Sequence, residues 1–459
     1  MKYLGKLKIR PSREIGESMV SIGFECLDRK VFNPEKCYDP LGESGVKHAR
    51  VQTGWAVCEQ ERGRYDFAWL DDVVDKLLER GVLPWFNVGY GNPIYMPDAP
   101  NSTAVGCVPT LYGEEVTEAW LAFVRALTRH FRDRITYYEI WNEPDIRDFW
   151  HPSQPDAAQY AELISLTGGV IRSEFPGAQL GACTSGSDFG YVETLMANLR
   201  PGELDFYCMH RYTVFPELDW KEKVAQLRRI FARNGHNIRL WMGEGGYPSW
   251  FPKNHWMHPK AGNDGSERQQ AVYQLRRYFQ DAQLGLERHS FYQMADMWER
   301  PYEKAHEVLS KPAAQGVLNG LTYTKKCSYY TLSRLANLLS GRIAPLDACF
   351  MYRLSGDGAD TLTASAVQYF TLKRNDMPMY AYYLPTDIQD ECDPDFGFGF
   401  TAETFEDVRP IVDAVLLDLY TGEVYSLEDA KYGRGISVSG LPIRDYPLVV
   451  CDRGMVEIE

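Results

Sequence analysis

The feature that most constrains the fold of this chain is a regular alternation of short apolar runs and amphipathic segments. Eight runs rich in β-branched and aromatic residues predict strands, and most of them are followed by a segment of helical periodicity. The predicted strands cover residues 20–27, 46–51, 82–88, 135–141, 179–183, 204–209, 238–242 and 290–297. The predicted helices cover residues 67–80, 114–133, 157–173, 191–199, 220–233, 268–284 and 325–339. Because such alternation produces parallel strands with right-handed crossovers, we predict an α/β fold, a (β/α)8 TIM barrel, over residues 17–341.

A doubly wound parallel sheet would also alternate strands and helices, but it is expected to carry a glycine-rich phosphate-binding turn after its first strand. No such turn follows residues 20–27. Beyond Gly341 the helical periodicity gives way to short runs of alternating polarity separated by turn signals. We therefore predict a second, all-β domain over residues 342–459, a small sandwich packed on the barrel. A strand within residues 1–16 is predicted to join that sandwich.

Composition and charge disfavour several classes of protein. The 459 residues carry 49 Lys+Arg and 63 Asp+Glu, and the net charge of −14 disfavours a surface for nucleic acid or anionic membrane. The first residues contain no apolar signal-peptide core, and no run is long enough to span a bilayer. The ten cysteines are scattered without a C-x-x-C pair, which fits neither a disulfide framework nor a zinc site. We expect a cytoplasmic protein without metal or organic cofactor and without a nucleic-acid or membrane partner; a homo-oligomer stays open.

The segment YYEIWNEPD, residues 137–145, carries the strongest chemical signal. It predicts a strand that ends in Glu143, with Asn142 before the glutamate and a proline after it. The carboxyl ends of the strands form the catalytic face of a TIM barrel. A carboxylic acid at that face can protonate a leaving oxygen if its pKa is raised. Glu139 shares the strand face but lies about 13 Å deeper, so we interpret it as structural; an ion pair with Arg147 is the plain alternative for Glu143.

A second predicted strand, in the segment LWMGEGGYPSW at residues 240–250, also ends in a glutamate. Glycines on both sides of Glu244 let a substrate approach the backbone closely. By our count Glu143 ends the fourth barrel strand and Glu244 the seventh, so their carboxyl groups are expected to face each other across the barrel mouth. A glycosidase that retains anomeric configuration needs two carboxyl groups about 5–5.5 Å apart.

The two motifs together resemble clan A of the glycoside hydrolases, in which WNEP ends the fourth strand of a (β/α)8 barrel and a second glutamate ends the seventh. The resemblance covers about residues 20–341. Within the clan, ERGRYDFAWLDDVVDKLLERGVLPWFNVGYGNP (residues 61–93) and the all-β tail are similar to family 39, which holds β-xylosidases and α-L-iduronidases. Around Glu244 the chain has GEGGYPS in place of the T-E-[FWY] of that family. This segment is closer to the E-x-G-W-P-S of β-1,3-glucanases in the clan, which leaves the sugar open.

The resemblance implies roles for further residues. Asn142 would hydrogen-bond the 2-hydroxyl of the sugar. His210 and Tyr212 resemble the His-x-Tyr beside the nucleophile, where a tyrosine hydroxyl holds Glu244 ionised and oriented. Trp298 resembles the tryptophan that forms the floor of the −1 subsite. A packed structural role is the alternative for the histidine and the tryptophan.

Position alone suggests a second group of candidates. Arg50, at the end of the second predicted strand, either orients the nucleophile or pairs with a carboxylate inside the barrel. The other candidate subsite residues are Trp55, Asn87, Tyr90, Asn92 and Trp250. The loop at residues 250–265 also holds Lys253, His255, His258 and Lys260. These basic side chains suit either an acidic sugar or, more simply, a solvated loop or an oligomer contact.

The predicted activity is that of a retaining glycoside hydrolase that acts on a carbohydrate from its chain ends. Glu244 would attack the anomeric carbon, and Glu143 would protonate the leaving oxygen and then activate water. The alternatives are a carbohydrate-binding barrel without catalysis and a barrel lyase that uses another base.

Overall fold

The computed structural model describes residues 1–251, 257, 262–298, 313–359, 366–390 and 394–459 of the chain. A closed barrel of parallel strands and a region of antiparallel sheets confirm the predicted fold class. The four basic loop residues that sequence suggested for an acidic sugar lie outside the described residues. They are Lys253, His255, His258 and Lys260.

The barrel strands follow one another around the barrel in sequence order, and the last pairs with the first. One strand, β1 (Lys2–Lys6), precedes the barrel. The barrel strands are β2 (Val20–Gly23), β3 (His48–Gln52), β4 (Leu83–Val88), β5 (Tyr137–Ile140), β6 (Gln179–Thr184), β7 (Phe206–His210), β8 (Arg239–Gly245) and β9 (Arg288–Phe291). All eight predicted strands are present. The predicted strand at residues 290–297 is wrong at its end, because β9 stops at Phe291.

Helices cover the outside of the barrel because each buries one apolar face. In α3, for example, Leu70, Val73, Val74 and Leu77 form a buried stripe at helical spacing. The helices are α1 (Tyr38–Glu43), α2 (Trp55–Cys58), α3 (Ala68–Glu79), α4 (Glu114–Phe131), α5 (Ala157–Glu174), α6 (Phe189–Asn198), α7 (Trp220–Arg233), α8 (Glu267–Gln283) and α9 (Cys327–Leu338). The seven predicted helices agree with α3 to α9 within about two residues at each end. No helix in the described ranges combines the length and apolarity needed to cross a membrane.

The antiparallel region consists of two sheets that pack face to face. Its strands are β10 (Ile343–Pro345), β11 (Ala348–Ser355), β12 (Gln368–Arg374), β13 (Met377–Tyr383), β14 (Gly397–Thr404), β15 (Ala414–Asp418), β16 (Glu423–Ser426), β17 (Lys431–Tyr432), β18 (Gly435–Pro442) and β19 (Leu448–Asp452). One sheet has the order β1-β16-β15-β19-β13-β12-β10 and the other β11-β14-β18-β17. Aromatic rings pack between them, with Tyr382 stacked on Phe398 at 4.0 Å. The N-terminal strand β1 pairs with β16.

The barrel and the antiparallel region meet at α8. The Arg268 guanidinium binds both oxygens of the fully buried Asp445 carboxylate, at 3.0 and 2.9 Å. Arg276, further along the same helix, donates from Nε to the Asp445 carbonyl oxygen at 2.6 Å. These contacts hold the antiparallel region against the side of the barrel.

Candidate active site

The strands of the barrel carry a cavity at their carboxyl ends. Its volume is about 510 Å³. The residues that line it are Glu143, Ile146, Ser185, Ser187, His210, Arg211, Tyr212, Glu244, Tyr292 and Gln315. Most of them follow β5 to β9 directly, so the cavity is built where active sites of this fold lie.

Glu143 reaches the cavity because the chain turns sharply after β5. Trp141 and Glu143 both have left-handed backbone angles, with φ of 68° and 44°. Such angles cost about 1–3 kcal/mol each in non-glycine residues, and the surrounding structure must hold them in place. The Trp141 amide donates to the Val88 carbonyl at 3.0 Å, and the Glu143 amide lies 3.2 Å from Cys183 Sγ. The strained turn aims the Glu143 carboxyl inward instead of along the strand.

Glu244 lies near the end of β8 and is held by two donors. The Tyr212 hydroxyl donates to its Oε1 at 2.7 Å, and Arg50 Nη1 donates to its Oε2 at 3.1 Å. Gly243, just before it, is required for packing, because a Cβ there would come within 2.6 Å of Cys208 Cβ and 3.1 Å of His210 Nε2. The glycine therefore lets β7 and β8 bring the histidine and the glutamate together.

His210 lies between the two glutamates. Its Nδ1 is 3.1 Å from Glu143 Oε1 and 3.5 Å from Glu244 Oε2. One oxygen of each glutamate and a ring nitrogen of His210 all lie within 4.8 Å of one another. The structure thus brings together the two carboxyl groups that the sequence placed at the ends of two separate strands.

Burial and neighbouring charges shift the acidities of both glutamates. Burial, with the nearby Asp145 carboxylate, raises the pKa of Glu143 to about 8. Burial also raises the pKa of Glu244, but there His210, Arg50 and the Tyr212 hydroxyl act in the opposite direction. Glu244 thus has two direct donors to its carboxylate, and both favour its ionised form.

Arg50 organises the floor of the cavity. It is completely buried, and besides Glu244 it binds Glu139 through Nε and Nη2 at 3.0 and 2.6 Å. Its Nη2 also donates to Asn142 Oδ1 at 2.8 Å. Burial alone would raise the pKa of Glu139, but Arg50 outweighs it and lowers that pKa. Glu139 is therefore a buried ion-pair partner inside the barrel, as its depth in the strand predicted. Arg50 makes both of the contacts suggested for it, one with Glu244 and one with a carboxylate inside the barrel.

Two groups of side chains among the described residues have the spacing of metal ligands. One is Glu139, Cys183 and His210, and the other is Glu143, His210 and Glu244. The positively charged guanidinium of Arg50 already lies within hydrogen-bond distance of both Glu139 and Glu244. A metal ion between the same oxygens would lie beside that guanidinium. The donor set therefore suits a pair of acid–base carboxyl groups better than a cation site.

Trp55 and Asn92, predicted as subsite residues, are corrected by the structure. Trp55 is fully buried, its indole donates to Glu59 Oε2 at 2.6 Å, and its ring stacks on Phe123. Asn92 is also buried and donates to the Glu59 carbonyl oxygen at 2.7 Å. Both side chains belong to the packed layer around α2 rather than to the cavity.

The remaining candidate subsite residues also lie away from the cavity wall. Trp298 is almost fully buried, and its indole donates to the Gly320 carbonyl at 3.2 Å. Asn87 donates to the Trp141 carbonyl at 2.6 Å, beneath the turn that carries Glu143. Tyr90 is buried against Phe149, and the partly exposed Trp250 is not among the lining residues.

The structure adds lining residues that sequence reasoning missed. Tyr292, directly after β9, takes the position expected for Trp298. Ser185 follows β6 and binds Asp145 through both its amide, at 2.8 Å, and its hydroxyl, at 2.5 Å. The two serines could have been found in the segment TSGS, because residues at the carboxyl ends of barrel strands are expected to form the site. Arg211 lies between His210 and Tyr212, which the sequence had already singled out. Gln315 gave no signal, because it is far from any strand end in sequence.

Part of the chain is similar to a known family of enzymes. The model of glycosyl hydrolases family 39 matches residues 48–233, which include Arg50, Glu143, His210 and Tyr212 but end before Glu244. A β-xylosidase of Caldicellulosiruptor saccharolyticus is 24% identical over 193 residues. That alignment covers 39% of this chain and 38% of the relative, so less than half of the relative's length is matched.

Solved structures extend the likeness to the whole fold. A family 39 glycoside hydrolase from Bacteroides cellulosilyticus aligns over 97% of this chain and 82% of its own, with a TM-score of 0.67 and 15% identity. A GH30 endoxylanase from Clostridium papyrosolvens aligns over 97% and 98%, with a TM-score of 0.62 and 10% identity. At these identities the likeness concerns the fold: a barrel with an antiparallel region. The fold is thus similar over nearly the whole chain, and residues 48–233 are similar to glycosyl hydrolases family 39.

Proposed function

We propose that this chain is a retaining glycosidase that works by double displacement. The observation that carries the proposal is the close approach of Glu143 and Glu244, whose nearest oxygens lie within 4.8 Å of each other in one cavity. Retaining enzymes hold their two carboxyl groups about 5–5.5 Å apart, whereas inverting enzymes need about 6.5–9.5 Å to admit a water molecule. A separation of 4.8 Å or less between the nearest oxygens fits the shorter spacing of retaining enzymes.

The environments of the two carboxyl groups assign their roles. Glu244 is held by Arg50 and Tyr212, so it is the ionised group that attacks the anomeric carbon. Glu143 has a pKa raised to about 8, so it carries the proton that the leaving oxygen takes. In the second step the ionised Glu143 removes a proton from water, which displaces Glu244 and releases the sugar with its original configuration.

Two neighbours support these steps. His210, at 3.1 Å from Glu143, fixes the direction of the acid/base carboxyl. Asn142 accepts from Arg50 through Oδ1, which leaves its amide nitrogen as the donor for the 2-hydroxyl of the sugar. A contact of this kind strengthens as the oxocarbenium-like transition state forms.

For the substrate we propose a β-xyloside that is cleaved from the chain end. The name of the β-xylosidase relative supports this choice, although its alignment covers only 39% of this chain. The cavity wall formed by Ser185, Ser187 and Arg211, on the side of Glu143, would then receive the leaving group, because the acid/base residue protonates the leaving oxygen.

The test is release of aryl leaving groups from xylosides, glucosides, galactosides, mannosides, arabinosides, fucosides and glucuronides in both anomers. Wild type should hydrolyse the β-xyloside, and Glu244→Gln should hydrolyse none of the glycosides; hydrolysis of another glycoside alone would refute the proposed sugar. Glu59→Gln is the matched control, since Glu59 is a buried carboxyl outside the cavity. Full activity of Glu244→Gln would refute the mechanism, and silence of the wild type on all glycosides and on oligosaccharides would favour a barrel that only binds. Xylo-oligosaccharides should release xylose from the start; mixed oligomers as first products would refute chain-end cleavage.

A further inference from the structure

A third carboxyl group lies against the arginine that holds the proposed nucleophile. Glu25 follows β2 by two residues and is almost completely buried. Its Oε2 accepts from Arg50 Nη1 at 2.7 Å. The same Nη1 donates to Glu244 Oε2 at 3.1 Å. One nitrogen of Arg50 is therefore shared between Glu25 and the nucleophile.

Counting charges shows that these carboxyl groups are not all ionised. Arg50 supplies one positive charge to Glu25, Glu139 and Glu244. His210 adds no second cation, because burial lowers its pKa and favours the neutral ring. Three carboxylates on one guanidinium would leave two uncompensated negative charges in a buried cluster, which is strongly unfavourable. At least one of the three holds a proton at neutral pH.

The hydrogen bonds indicate which group holds it. Glu139 accepts two bonds from Arg50 and further bonds from Trp85 and Asn87. Glu244 accepts from Arg50 and from the Tyr212 hydroxyl. Glu25 accepts only from Arg50, and its buried Oε1 has no partner among the described residues. Donors stabilise the ionised form, so the group with the fewest donors keeps its proton. Burial correspondingly raises the pKa of Glu25 to about 8.

We propose that Glu25 is a positioning residue for the nucleophile. It stays neutral at neutral pH, so that the positive charge of Arg50 is balanced by Glu139 and Glu244. When Glu25 ionises at higher pH, it competes with Glu244 for Arg50 Nη1 and weakens the contact that keeps the nucleophile oriented. This rests on the proposed role of Glu244. The enzyme then has an alkaline limit on the nucleophile side, separate from loss of the proton on Glu143.

A cysteine and a tyrosine beside Glu25 have raised pKa values. Burial raises the pKa of Cys26 to about 12 and that of Tyr292 well above its usual value. Both stay neutral where Glu25 ionises. The charged and titratable groups that face or adjoin Glu25 are Arg50 on β3, Glu139 on β5, Glu244 on β8, Tyr292 after β9, and Cys26, Asp28 and Arg29 in its own segment.

The first test does not depend on activity: the free energy of unfolding of wild type and Glu25→Gln is measured from pH 5 to pH 8. A carboxyl with a raised pKa binds a proton only in the folded state over this range, so the folded state loses stability as pH rises. The folding equilibrium constant of wild type should fall tenfold more per pH unit than that of Glu25→Gln, while Glu59→Gln should follow wild type. Equal slopes for wild type and Glu25→Gln would overturn the proposal.

The second test separates Glu25 from Glu143. In a Glu143→Ala background, a glycoside with a strongly acidic phenol as leaving group needs no proton for the first step. The rate of that step should still fall tenfold per pH unit above about pH 8, and the fall should vanish in Glu143→Ala/Glu25→Gln. Persistence of the fall in the double variant would contradict a role for Glu25. If wild type hydrolyses no glycoside at all, the proposed function fails, and the unfolding slopes still decide whether Glu25 holds the proton.

Discussion

Two buried charge clusters in the same barrel are built in opposite ways. On the outer side, Asp281 of α8 receives bonds from Trp220, Arg277 and His289, at 2.6, 3.2 and 2.6 Å. At the barrel mouth, Arg50 is shared among three carboxyl groups. The first cluster supplies three donors to one carboxylate, and the second supplies one guanidinium to three carboxyl groups.

The difference separates a structural cluster from a chemical one. Burial alone would raise the pKa of Asp281, but its cation and donors outweigh it and lower that pKa. At the mouth, burial and like charges prevail and raise the pKa values of Glu25, Glu143 and Glu244. At Glu25 and Glu143 the shortage of donors favours the protonated form, and the role proposed for Glu143 as general acid requires a proton. The stability of the fold does not require such a shortage.

We expect the largest effect on catalysis when the proposed nucleophile is removed. Glu244→Gln keeps the shape of the side chain but cannot attack the anomeric carbon, so we expect kcat to fall by about 10⁴-fold or more. The folded structure should persist, because the amide oxygen still accepts from Tyr212. Steady-state hydrolysis of the best aryl glycoside, together with the circular dichroism spectrum, provides the check. A fall of less than tenfold would remove Glu244 from the mechanism.

The structural cluster should respond in stability and not in chemistry. Asp281→Asn leaves the buried Arg277 guanidinium without its counter-charge, so we expect a loss of about 3–5 kcal/mol in the free energy of unfolding. The lowered pKa of Asp281 means that its contribution is present at neutral pH and is lost as pH falls through the folded-state pKa. Denaturant unfolding at pH 7 and pH 3 measures both. A changed pH profile of kcat would instead tie this cluster to the chemistry.

Tyr212 should affect the nucleophile without a loss of fold. In Tyr212→Phe, Glu244 loses a 2.7 Å donor to its carboxylate, and hydrogen bonds to charged groups contribute about 1.5–3 kcal/mol. We expect kcat/KM to fall by roughly 10- to 100-fold and its acidic limit to move to higher pH, because the pKa of Glu244 rises further. An unchanged acidic limit would show that Tyr212 does not act on Glu244.

The smallest expected effect is a shift in the alkaline limit set by Glu143. The carboxylate of Asp145 helps to raise the pKa of Glu143. Asp145→Asn should therefore move the alkaline limit of kcat/KM to lower pH by about one unit, with little change at pH 6. Ser185→Ala, which removes a hydroxyl bonded to Asp145, is the control for a local packing change. A limit that stays in place would assign it to another group, with Glu25 as the first candidate.

Sequence predicted the parts of this molecule that depend on local pattern. The periodicity of strands and helices predicted the barrel, and the expectation of polar residues at strand ends singled out Glu143, which follows β5, and Glu244, which lies near the end of β8. The same rule failed for Trp55 and Asn92, since a few residues beyond a strand the chain already belongs to the helical layer. Trp298, singled out by its resemblance to the tryptophan of the −1 subsite, is not among the lining residues, whereas Tyr292, directly after β9, is.

What sequence could not supply is the sharing of groups between distant strands. Glu25, Arg50 and Glu244 lie on β2, β3 and β8 or just beyond them, and no local pattern indicates that one nitrogen of Arg50 serves both glutamates. The excess of carboxyl groups over cations is likewise a property of the folded barrel. It appears only when the contacts of each side chain are counted in three dimensions.

The most direct measurement is to trap the covalent intermediate of double displacement. A 2-fluoro derivative of the glycoside that the enzyme hydrolyses, with a strongly acidic leaving group, slows the second step because fluorine destabilises the oxocarbenium-like transition state. Mass spectrometry of the treated protein should show one added sugar, on the peptide that contains Glu244, and none in Glu244→Gln. Hydrolysis that proceeds with inverted configuration and no adduct, or an adduct on Glu143, would contradict the assignment.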